Sequence, residues 1–189
     1  NGLHLLFEKP ITTTVTQANA LIQLASDHRR ILQVGHVERF NPAYRVARQQ
    51  IQQPRYIESA RLAPYTFRST DVGVVLDLMI HDIDLALATV GSQVVDVLAM
   101  GAVVIGPHED IAQARLTFAN GCVANLSASR VSPEACRKMQ VFAASGHTSL
   151  DLATGSARHV AISDAVRQQT IDPATTSLEK QKELRETFF

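Results

Sequence analysis

One apolar stretch of the sequence carries three titratable side chains at a spacing that suits acid–base chemistry. Val74–Val90 is rich in Val, Leu and Ile and predicts a helix that ends at Gly91. Asp77, His81 and Asp84 stand at i, i+4 and i+7, so they share one stripe of that helix. A carboxylate on the stripe can orient the imidazole and tune its pKa, and histidine titrates near physiological pH. The spacing therefore predicts a general acid–base site that faces a cleft.

The same stripe admits two other interpretations. Carboxylates in an apolar helix are costly unless they are paired, and an Asp–His pair that only stabilises the core meets that condition equally well. Asp77, His81 and Asp84 could also ligate a metal ion, as in a metal-dependent hydrolase, although no further ligands are apparent. Asp82 falls on another side of the helix. Spacing alone leaves these alternatives open.

A lysine follows the first apolar segment of the chain. Glu8-Lys9-Pro10 comes directly after Leu3–Phe7, which predicts a buried strand. Ligands of open parallel sheets bind outside the carboxyl ends of strands, so Lys9 is placed to meet one. A lysine whose pKa is lowered by burial can hydrogen-bond a hydroxyl during its oxidation and help to take the proton. A solvated surface lysine is the alternative, and it is the stronger one for an isolated Lys-Pro pair.

A second strand ends at a loop that holds three more polar candidates. Ile31–Val34 predicts that strand, and His36, Arg39 and Asn41 lie in the loop that follows. The loop occupies the matching end of a parallel sheet, so these side chains could line one cleft with Lys9. Each of the three, taken alone, is better explained as an ordinary loop residue.

The first of these candidates are positioned by a parallel α/β unit. A helix over Thr16–His28 between the two strands makes a βαβ unit, which implies parallel pairing and a right-handed crossover. Asn41 and Pro42 then suit the N-cap and the first turn of a helix over Ala43–Gln52.

Beyond Pro54 the pattern changes to consecutive strands around the apolar helix. Asn120-Gly121 is the strongest hairpin signal, and Gly101 suits a bulge. Strands joined by hairpins predict an antiparallel sheet with one covered face. The predicted strands are Arg55–Ala63, Val94–Ile105, Ala112–Phe118, Cys122–Ala128, Met139–Ala144 and Ser149–Ala153, the last two joined near Gly146. The predicted fold class is the α/β tail of a parallel-sheet domain, followed by an α+β domain with an open, mainly antiparallel sheet.

Composition excludes several classes of protein. The 189 residues are 46% hydrophobic and 19% charged, with 18 basic and 18 acidic side chains. These values argue against a disordered chain, and against a nucleic-acid partner attracted by bulk charge. No apolar segment is long enough to cross a bilayer, and two cysteines, Cys122 and Cys136, cannot form a disulfide framework. No phosphate-cradling GxGxxG loop is present. The class that remains is a soluble, cytoplasmic globular protein.

Three segments, taken in order, resemble a known family. They are Glu8-Lys9-Pro10, Gly35-His36-Val37-Glu38-Arg39-Phe40-Asn41-Pro42, and Gly73 through Asp77-Leu78-Met79-Ile80-His81-Asp82-Ile83-Asp84. Their order and spacing are similar to those of the glucose–fructose oxidoreductase, inositol dehydrogenase and rhizopine catabolism (Gfo/Idh/MocA) family of NAD(P)-dependent sugar oxidoreductases. The resemblance implies an N-terminal Rossmann domain that binds NAD or NADP. It also implies a C-terminal open-sheet domain that binds substrate and makes oligomer contacts.

The resemblance also assigns roles to particular residues. It implies Lys9, Asp77 and His81 as the catalytic set, with a cis peptide bond before Pro10. Glu8, Lys9 and Pro10 would then border the cofactor. His36, Arg39 and Asn41 would contact the substrate, and no metal is expected.

The resemblance further implies that the chain is a piece of a longer protein. Residues 1–37 would be the C-terminal part of the Rossmann domain, and residues 38–189 a substrate-binding and oligomerisation domain cut short at its C-terminus. The chain begins in a strand-like segment without Met, and it ends in a helix-like segment after a capping box, Thr176 to Glu179. The family's usual glycine run before the apolar helix is reduced to Gly73.

The function that these observations predict is hydride transfer between a nicotinamide cofactor and a sugar hydroxyl or ketone. The loop from Gly35 to Pro42 resembles that of members acting on nucleotide sugars, such as UDP-N-acetylglucosamine 3-dehydrogenases, so nucleotide sugars are included among the expected substrates. His81 would be the general base, Asp77 would orient it, and Lys9 would polarise the substrate oxygen. The alternative is a non-catalytic sugar-binding or dimerisation module without the cofactor half, because an uncovered apolar sheet face favours a homo-oligomer.

Overall fold

The computed structural model describes residues 2–67, 71–162 and 177–179. Thr176 and most of the helix predicted after it lie outside the described residues. Among the helices that the structure describes, none combines the length and the apolar character needed to span a bilayer.

The N-terminal segment is the predicted βαβ unit. Strand β1 (Leu5–Phe7) and strand β2 (Leu32–Val34) pair in parallel, with helix α1 (Val15–Asp27) between them. The Thr14 hydroxyl caps α1 by accepting a hydrogen bond from the backbone N–H of Gln17. Parallel pairing brings the ends of β1 and β2 to one edge, where the two polar segments predicted from the sequence begin.

The second polar segment continues into a short helical connection. Val37–Phe40 forms a 3₁₀ turn, and helix α2 spans Pro42–Ala47. The Asn41 side chain caps α2 by accepting the N–H of Ala43 at 3.1 Å, as predicted. The predicted end at Gln52 is wrong, because α2 ends at Ala47 and the N–H of Gln52 donates to the Ser145 hydroxyl instead of a helical carbonyl.

The rest of the described chain builds one open sheet of seven strands. They are β3 (Pro54–Leu62), β4 (Val94–Ala102), β5 (Ile111–Phe118), β6 (Val123–Ser129), β7 (Cys136–Ala143), β8 (Gly146–Asp151) and β9 (Ser156–Ala161). Their order is β4-β5-β6-β3-β7-β8-β9. Neighbouring strands are antiparallel except β3 and β6, so the predicted mainly antiparallel sheet is confirmed. The sequence analysis did not predict β9.

Strand β4 differs from its prediction in two details. The bulge predicted at Gly101 is wrong, because Gly101 pairs regularly with Ala112 and the register irregularity lies between Val94 and Asp96. Gly101 instead accommodates the side chain of Glu109, whose Cβ would lie 3.2 Å from a Cβ at this position. The strand also ends before the predicted Ile105.

The apolar helix begins with a π-helical turn. Val75–Met79 forms that turn, in which the N–H of Ile80 reaches back to the carbonyl of Val75. Helix α3 (Ile80–Val90) follows and ends at Gly91, as predicted, and Gly91 adopts the left-handed conformation. A π turn holds more residues than an α turn, so it rotates Asp77 away from the stripe that a continuous α-helix would give it.

The core lies between one face of the sheet and the helices. The π turn and α3 pack on β3 and β6, whereas α2 packs on β8 and β9. Fully buried side chains include Tyr44, Ile57, Met79, Leu85, Phe118, Met139 and Leu150. We call this covered side the inner face, and the other side the outer face. On the outer face, Leu98 and Met100 of the edge strand β4 remain 70% and 66% exposed.

Candidate active site

Lys9 joins the βαβ unit to the π turn. Its Nζ donates a hydrogen bond to the backbone carbonyl of Asp77 at 2.6 Å and lies 3.5 Å from Oδ1 of the same residue. Both side chains are partly buried. The peptide bond between Lys9 and Pro10 is cis, as the family resemblance implies. Of the three catalytic candidates, the structure therefore brings Lys9 and Asp77 into direct contact.

His81 lies one turn further along the same helical segment. Its Nδ1 is buried and has no hydrogen-bond partner among the residues that the structure describes. Burial and the positive charges of Arg61 and Lys9 lower the pKa of His81 to about 4, against a smaller opposing effect of Glu38. The imidazole is therefore neutral at physiological pH, and it can accept a proton.

Asp77 and His81 do not form the hydrogen-bonded pair expected from an α-helical stripe. Within the described residues, the Asp77 carboxylate contacts Lys9 and makes no hydrogen bond to His81. Asp84 bonds elsewhere, and the described part of the chain holds no group of three His, Cys, Asp or Glu side chains that could surround a metal ion. Asp77, His81 and Asp84 therefore do not converge as the metal-site interpretation requires. The role of Asp77 in orienting His81 stays a prediction.

A buried cluster of charged side chains lies near His81 and influences its pKa. Arg61 of β3 donates from Nε and Nη2 to the two oxygens of Asp82, both at 3.0 Å, and from Nη1 to Glu38 at 2.9 Å. The Arg61 and Asp82 side chains are only 4% and 2% exposed. The two carboxylates outweigh the cost of burial and raise the pKa of Arg61. This cluster ties the 3₁₀ turn, β3 and α3 together around a permanent positive charge.

The sequence analysis did not assign roles to Arg61 and Glu38. A signal for Arg61 was present in the sequence. Ile57, Ser59 and Arg61 stand at every second position of a strand, so they lie on the same face, and that face is buried. A buried arginine requires carboxylate partners, and Asp82 was predicted to lie on a separate side of the helix. The structure confirms that separation, since Asp82 points to Arg61.

The predicted substrate-binding loop is held by Asp84. Arg39 donates to both Asp84 oxygens at 2.7 Å, and this bond is the main reason that the pKa of Arg39 is raised. Nδ1 of His36 lies 3.7 Å from Oδ1 of Asp84 and has no hydrogen-bond partner among the described residues. The structure thus brings His36 and Arg39 together beside α3.

Asn41 is occupied by structural contacts. Besides capping α2, its amide donates to the carbonyl of Leu152 at 2.9 Å and to Glu38 at 3.1 Å. These bonds account for both ends of the side chain. The prediction that Asn41 contacts substrate stays a prediction.

The residues predicted to border a cofactor lie at the carboxyl ends of β1 and β2. Gly35 follows β2, and a Cβ there would come within 3.2 Å of Oε2 of Glu8 and of the Phe7 carbonyl. The missing side chain at Gly35 therefore leaves room for Glu8 at the end of the parallel pair. Lys9 is close enough to His81 to influence its pKa. These residues fit one wall of a nicotinamide site at the carboxyl edge of a parallel sheet.

The buried carboxylate of Asp110 helps to hold the segment that precedes the π turn. Oδ2 of Asp110 accepts the backbone N–H groups of residues 104, 105 and 106, and Oδ1 accepts Nε of Arg130 at 2.8 Å. These donors lower the pKa of Asp110 well below its usual range. Arg130 also donates to the carbonyl of Val72 at 2.8 Å. The loop after β4 is thereby attached to the chain that enters the π turn.

Gly73 lies in the same region, beside the side chain of Glu109. A Cβ at this position would overlap the side chain of Glu109. The next residue, Val74, donates its N–H to the Glu109 carbonyl at 2.9 Å. The atoms that such a Cβ would meet are the carboxylate end of the Glu109 side chain.

Comparison with known proteins agrees with this geometry. Residues 33–149 match the family model described as the GFO/IDH/MocA C-terminal domain, and residues 1–36 match the oxidoreductase family with an NAD-binding Rossmann fold. The chain belongs to the GFO/IDH/MocA family. Its open sheet and short parallel unit are the GFO/IDH/MocA architecture, which confirms the resemblance and the fold class predicted from the sequence.

Similar GFO/IDH/MocA proteins include named sugar and inositol dehydrogenases. The chain is 44% identical to the UDP-N-acetylglucosamine 3-dehydrogenase of Acidithiobacillus ferrooxidans over 79% of this chain and 48% of that protein. A solved structure of that enzyme matches with a TM-score of 0.78 at 43% identity, covering 82% of this chain and 50% of the other. The scyllo-inositol 2-dehydrogenase of Bacillus subtilis is 29% identical over 70% of this chain and 43% of its own length. The chain thus spans about half the length of these relatives.

Proposed function

We propose that this protein transfers a hydride between a nicotinamide cofactor, NAD or NADP, and the hydroxyl or ketone of a sugar or nucleotide sugar. The observation that carries the proposal is His81, a neutral imidazole whose buried Nδ1 lacks a partner among the described residues. It lies beside the Lys9–Asp77 contact at the carboxyl edge of a parallel strand pair. A neutral base next to a partly buried lysine is the pair of groups that alcohol oxidation needs.

The proposed roles follow from the charges of these groups. His81 accepts the hydroxyl proton of the substrate, because it is neutral at working pH. Lys9 donates a hydrogen bond to the same oxygen and stabilises the negative charge that develops there. Asp77 holds Lys9 in position through its carbonyl and carboxylate oxygens. In the reverse direction the protonated His81 returns its proton to the new alkoxide.

Glu8, Lys9 and Pro10 are proposed to border the cofactor. When bound, the nicotinamide ring supplies the carbon that accepts or donates the hydride. These residues would hold the ring beside His81, so that the hydride would leave the substrate carbon whose hydroxyl gives its proton to His81. The βαβ unit and the family match to an NAD-binding Rossmann fold support this placement.

A nucleotide sugar is the proposed substrate class. The similarity to a UDP-N-acetylglucosamine 3-dehydrogenase at 44% identity supports it, against 29% for an inositol dehydrogenase. His36 is the proposed substrate contact of the loop, because its buried Nδ1 has no hydrogen bond to the described residues. Arg39 and Asn41 are proposed to shape the same site, Arg39 through its bonds to Asp84.

We further propose a domain boundary, an oligomer contact and a cellular location for this protein. The boundary between the cofactor domain and the substrate domain falls between residues 37 and 38, after the first residue of the 3₁₀ turn. The outer sheet face, with exposed Leu98 and Met100, is proposed to contact a second copy of the protein. A cytoplasmic location is proposed because Cys122 and Cys136 are free thiols, as expected in a reducing compartment.

The test is turnover by the protein as its gene encodes it. We expect NAD(P)H formation with UDP-N-acetylglucosamine, and less or none with scyllo-inositol. Lys9→Met, which keeps the length of the side chain but removes its charge, should lower kcat roughly 10²–10³-fold. The control is Arg55→Ala, which removes an exposed positive charge of β3 outside the candidate active site. Full activity of Lys9→Met would overturn the proposed role of the lysine.

The non-catalytic module remains the competing function, and one observation favours it. The outer face bears a concave groove of about 750 Å³ that no described helix covers. A protein that dimerises or binds sugar through this groove, and forms no NAD(P)H with any sugar tested, would replace the proposed oxidoreductase.

A further inference from the structure

A groove lined by arginines lies on the exposed side of α2. It has a volume of about 530 Å³, and its lining residues come from the 3₁₀ turn, α2 and the following turn: Arg39, Phe40, Tyr44, Arg45, Arg48 and Gln49. We call it the arginine groove. Among the residues that the structure describes, no carboxylate lines the groove, so its three guanidinium groups share a surface without an acidic side chain.

The arginines of this groove differ in how their charge is compensated. Arg39 is bonded to both oxygens of Asp84. Within residues 2–67, 71–162 and 177–179, the side chains of Arg45 and Arg48 have neither a hydrogen bond nor an ion pair. Arg45 lies in α2 and Arg48, three positions on, is its C-cap residue in helical conformation, so their charges are neighbours at the end of α2. Like charges at this spacing repel, and a bound anion removes the repulsion.

An exposed aromatic ring completes the groove. Phe40 is 74% exposed, whereas Tyr44 is buried and its hydroxyl lies 3.2 Å from that of Thr89. Guanidinium groups bind phosphate oxygens in bidentate fashion, and an exposed aromatic ring stacks on a nucleobase. Phosphate and a planar base occur together in a nucleotide.

The arginine groove shares a wall with the candidate active site. Arg39 lines the groove and bonds to Asp84, whose Oδ1 is 3.7 Å from Nδ1 of His36. His36 in turn lies close enough to His81 to help lower the pKa of His81. A ligand with its phosphates in the groove could therefore extend past Arg39 and His36 toward the proposed base.

We propose that the arginine groove binds the nucleoside diphosphate of a nucleotide-sugar substrate, with Arg45 and Arg48 on the phosphates and Phe40 against the base. This rests on the proposed function and deepens it, because it names the part of the substrate that is recognised away from the reacting carbon. The same phosphate chemistry occurs in the dinucleotide cofactor, so the experiment separates the two sources.

The experiment compares the Arg45→Ala/Arg48→Ala double variant with the wild-type protein as its gene encodes it. The control is Arg55→Ala, an exposed arginine outside the groove. Calorimetry measures binding of UDP, of uridine as the ligand without phosphates, and of NAD⁺. We expect the double variant to bind UDP at least about tenfold more weakly, with uridine and NAD⁺ binding unchanged. Arg55→Ala should match the wild type for all three.

Several results would overturn the proposal. Equal UDP affinity in the wild type and the double variant would remove the groove from substrate recognition. Weaker NAD⁺ binding with unchanged UDP binding would assign the groove to the cofactor instead. UDP binding is measured without turnover, so its loss in the double variant supports the groove even if no sugar is oxidised. Oxidation of sugars without any UDP binding would overturn the groove and leave the proposed hydride transfer standing.

Discussion

Two charged clusters lie within a turn of each other on the segment from the π turn into α3, and they are built in opposite ways. The closed cluster, Glu38, Arg61 and Asp82, is buried, and all the hydrogen bonds within it are 3.0 Å or shorter. The open cluster, Lys9, Asp77 and His81, is only partly buried, and its imidazole has a nitrogen without a partner among the described residues. Charges that hold a fold satisfy one another, whereas charges that react with a ligand are left incomplete.

The closed cluster also acts on the open one. The charge of Arg61 is one of the causes of the lowered pKa of His81. Since Asp82 and Glu38 hold Arg61 in place, they keep a permanent positive charge beside the proposed base. The difference between the clusters thus predicts that substitutions in the open cluster mainly lower activity, whereas substitutions in the closed cluster mainly lower the free energy of unfolding.

The largest expected effect is on the open cluster. His81→Ala should lower kcat by roughly 10²–10⁴-fold, because the variant has no side chain to take the substrate proton. Its free energy of unfolding should fall by less than that of the closed-cluster variant below, since Nδ1 of His81 has no hydrogen bond to the described residues that the substitution would break. Steady-state kinetics and urea unfolding measure the two quantities. Near-wild-type turnover would remove His81 from the mechanism.

The closed cluster should respond in stability. Asp82→Ala leaves Arg61 buried with only Glu38, so the free energy of unfolding should fall by about 3–5 kcal/mol. Urea unfolding of this variant is compared with that of Asp96→Ala, in which an exposed carboxylate of β4 is removed and a change within about 0.5 kcal/mol is expected. A loss for Asp82→Ala no larger than for the control would contradict the distinction between the clusters.

The carboxylate that anchors the loop after β4 should give a smaller effect. Asp110→Asn keeps one acceptor oxygen but loses charge-assisted bonds, so the free energy of unfolding should fall by about 1–3 kcal/mol. The lowered pKa of Asp110 means that its contribution is present above the ordinary Asp pKa of 3.8 and is lost as pH falls below it. Urea unfolding near neutral pH and at acid pH measures the loss of unfolding free energy and its dependence on pH. The difference between variant and wild type should shrink at the acid pH, and a constant difference would contradict the assignment.

The pH dependence of His81 is the most subtle test. With a pKa of about 4 in the folded protein, the acid limb of kcat/KM should lie near pH 4 rather than near the ordinary value of 6.5. The lowered pKa stabilises the fold above pH 6.5, and this contribution declines as pH falls from 6.5 toward 4. His81→Gln should flatten the slope of unfolding free energy against pH in that window. An acid limb near 6.5 would show that His81 is not influenced by Arg61 and Lys9 in this way.

The order and type of most elements could be predicted from local pattern. The βαβ unit, the Asn41 cap, the apolar helix and its end at Gly91 follow from periodicity and capping residues, and the structure confirms them. The π turn and β9 could not be predicted in this way. At the start of the π turn, Val74 donates to the carbonyl of Glu109 and the carbonyl of Val72 accepts from Arg130, which are contacts between residues distant in the chain. Strand β9 has no clear alternation.

The candidate site was predictable in its residue types and not in its contacts. Motif order placed Lys9, Asp77 and His81 in one site, and the structure brings Lys9 to Asp77. The pairing of Asp77 with His81 was expected from α-helical spacing, and the π turn removes the basis for it. Arg61 was missed because its partners are far apart in the chain.

The sequence by itself determined the family, the fold class and the residues that can do chemistry, since these depend on local spacing and on motif order. The tertiary structure decided which of those charges are paired and which remain available to a ligand. Pairing depends on side chains that are distant along the chain, such as Arg61 with Asp82 and Arg39 with Asp84. Burial, which lowers the pKa of His81, arises only when the sheet, the 3₁₀ turn and the helix pack together.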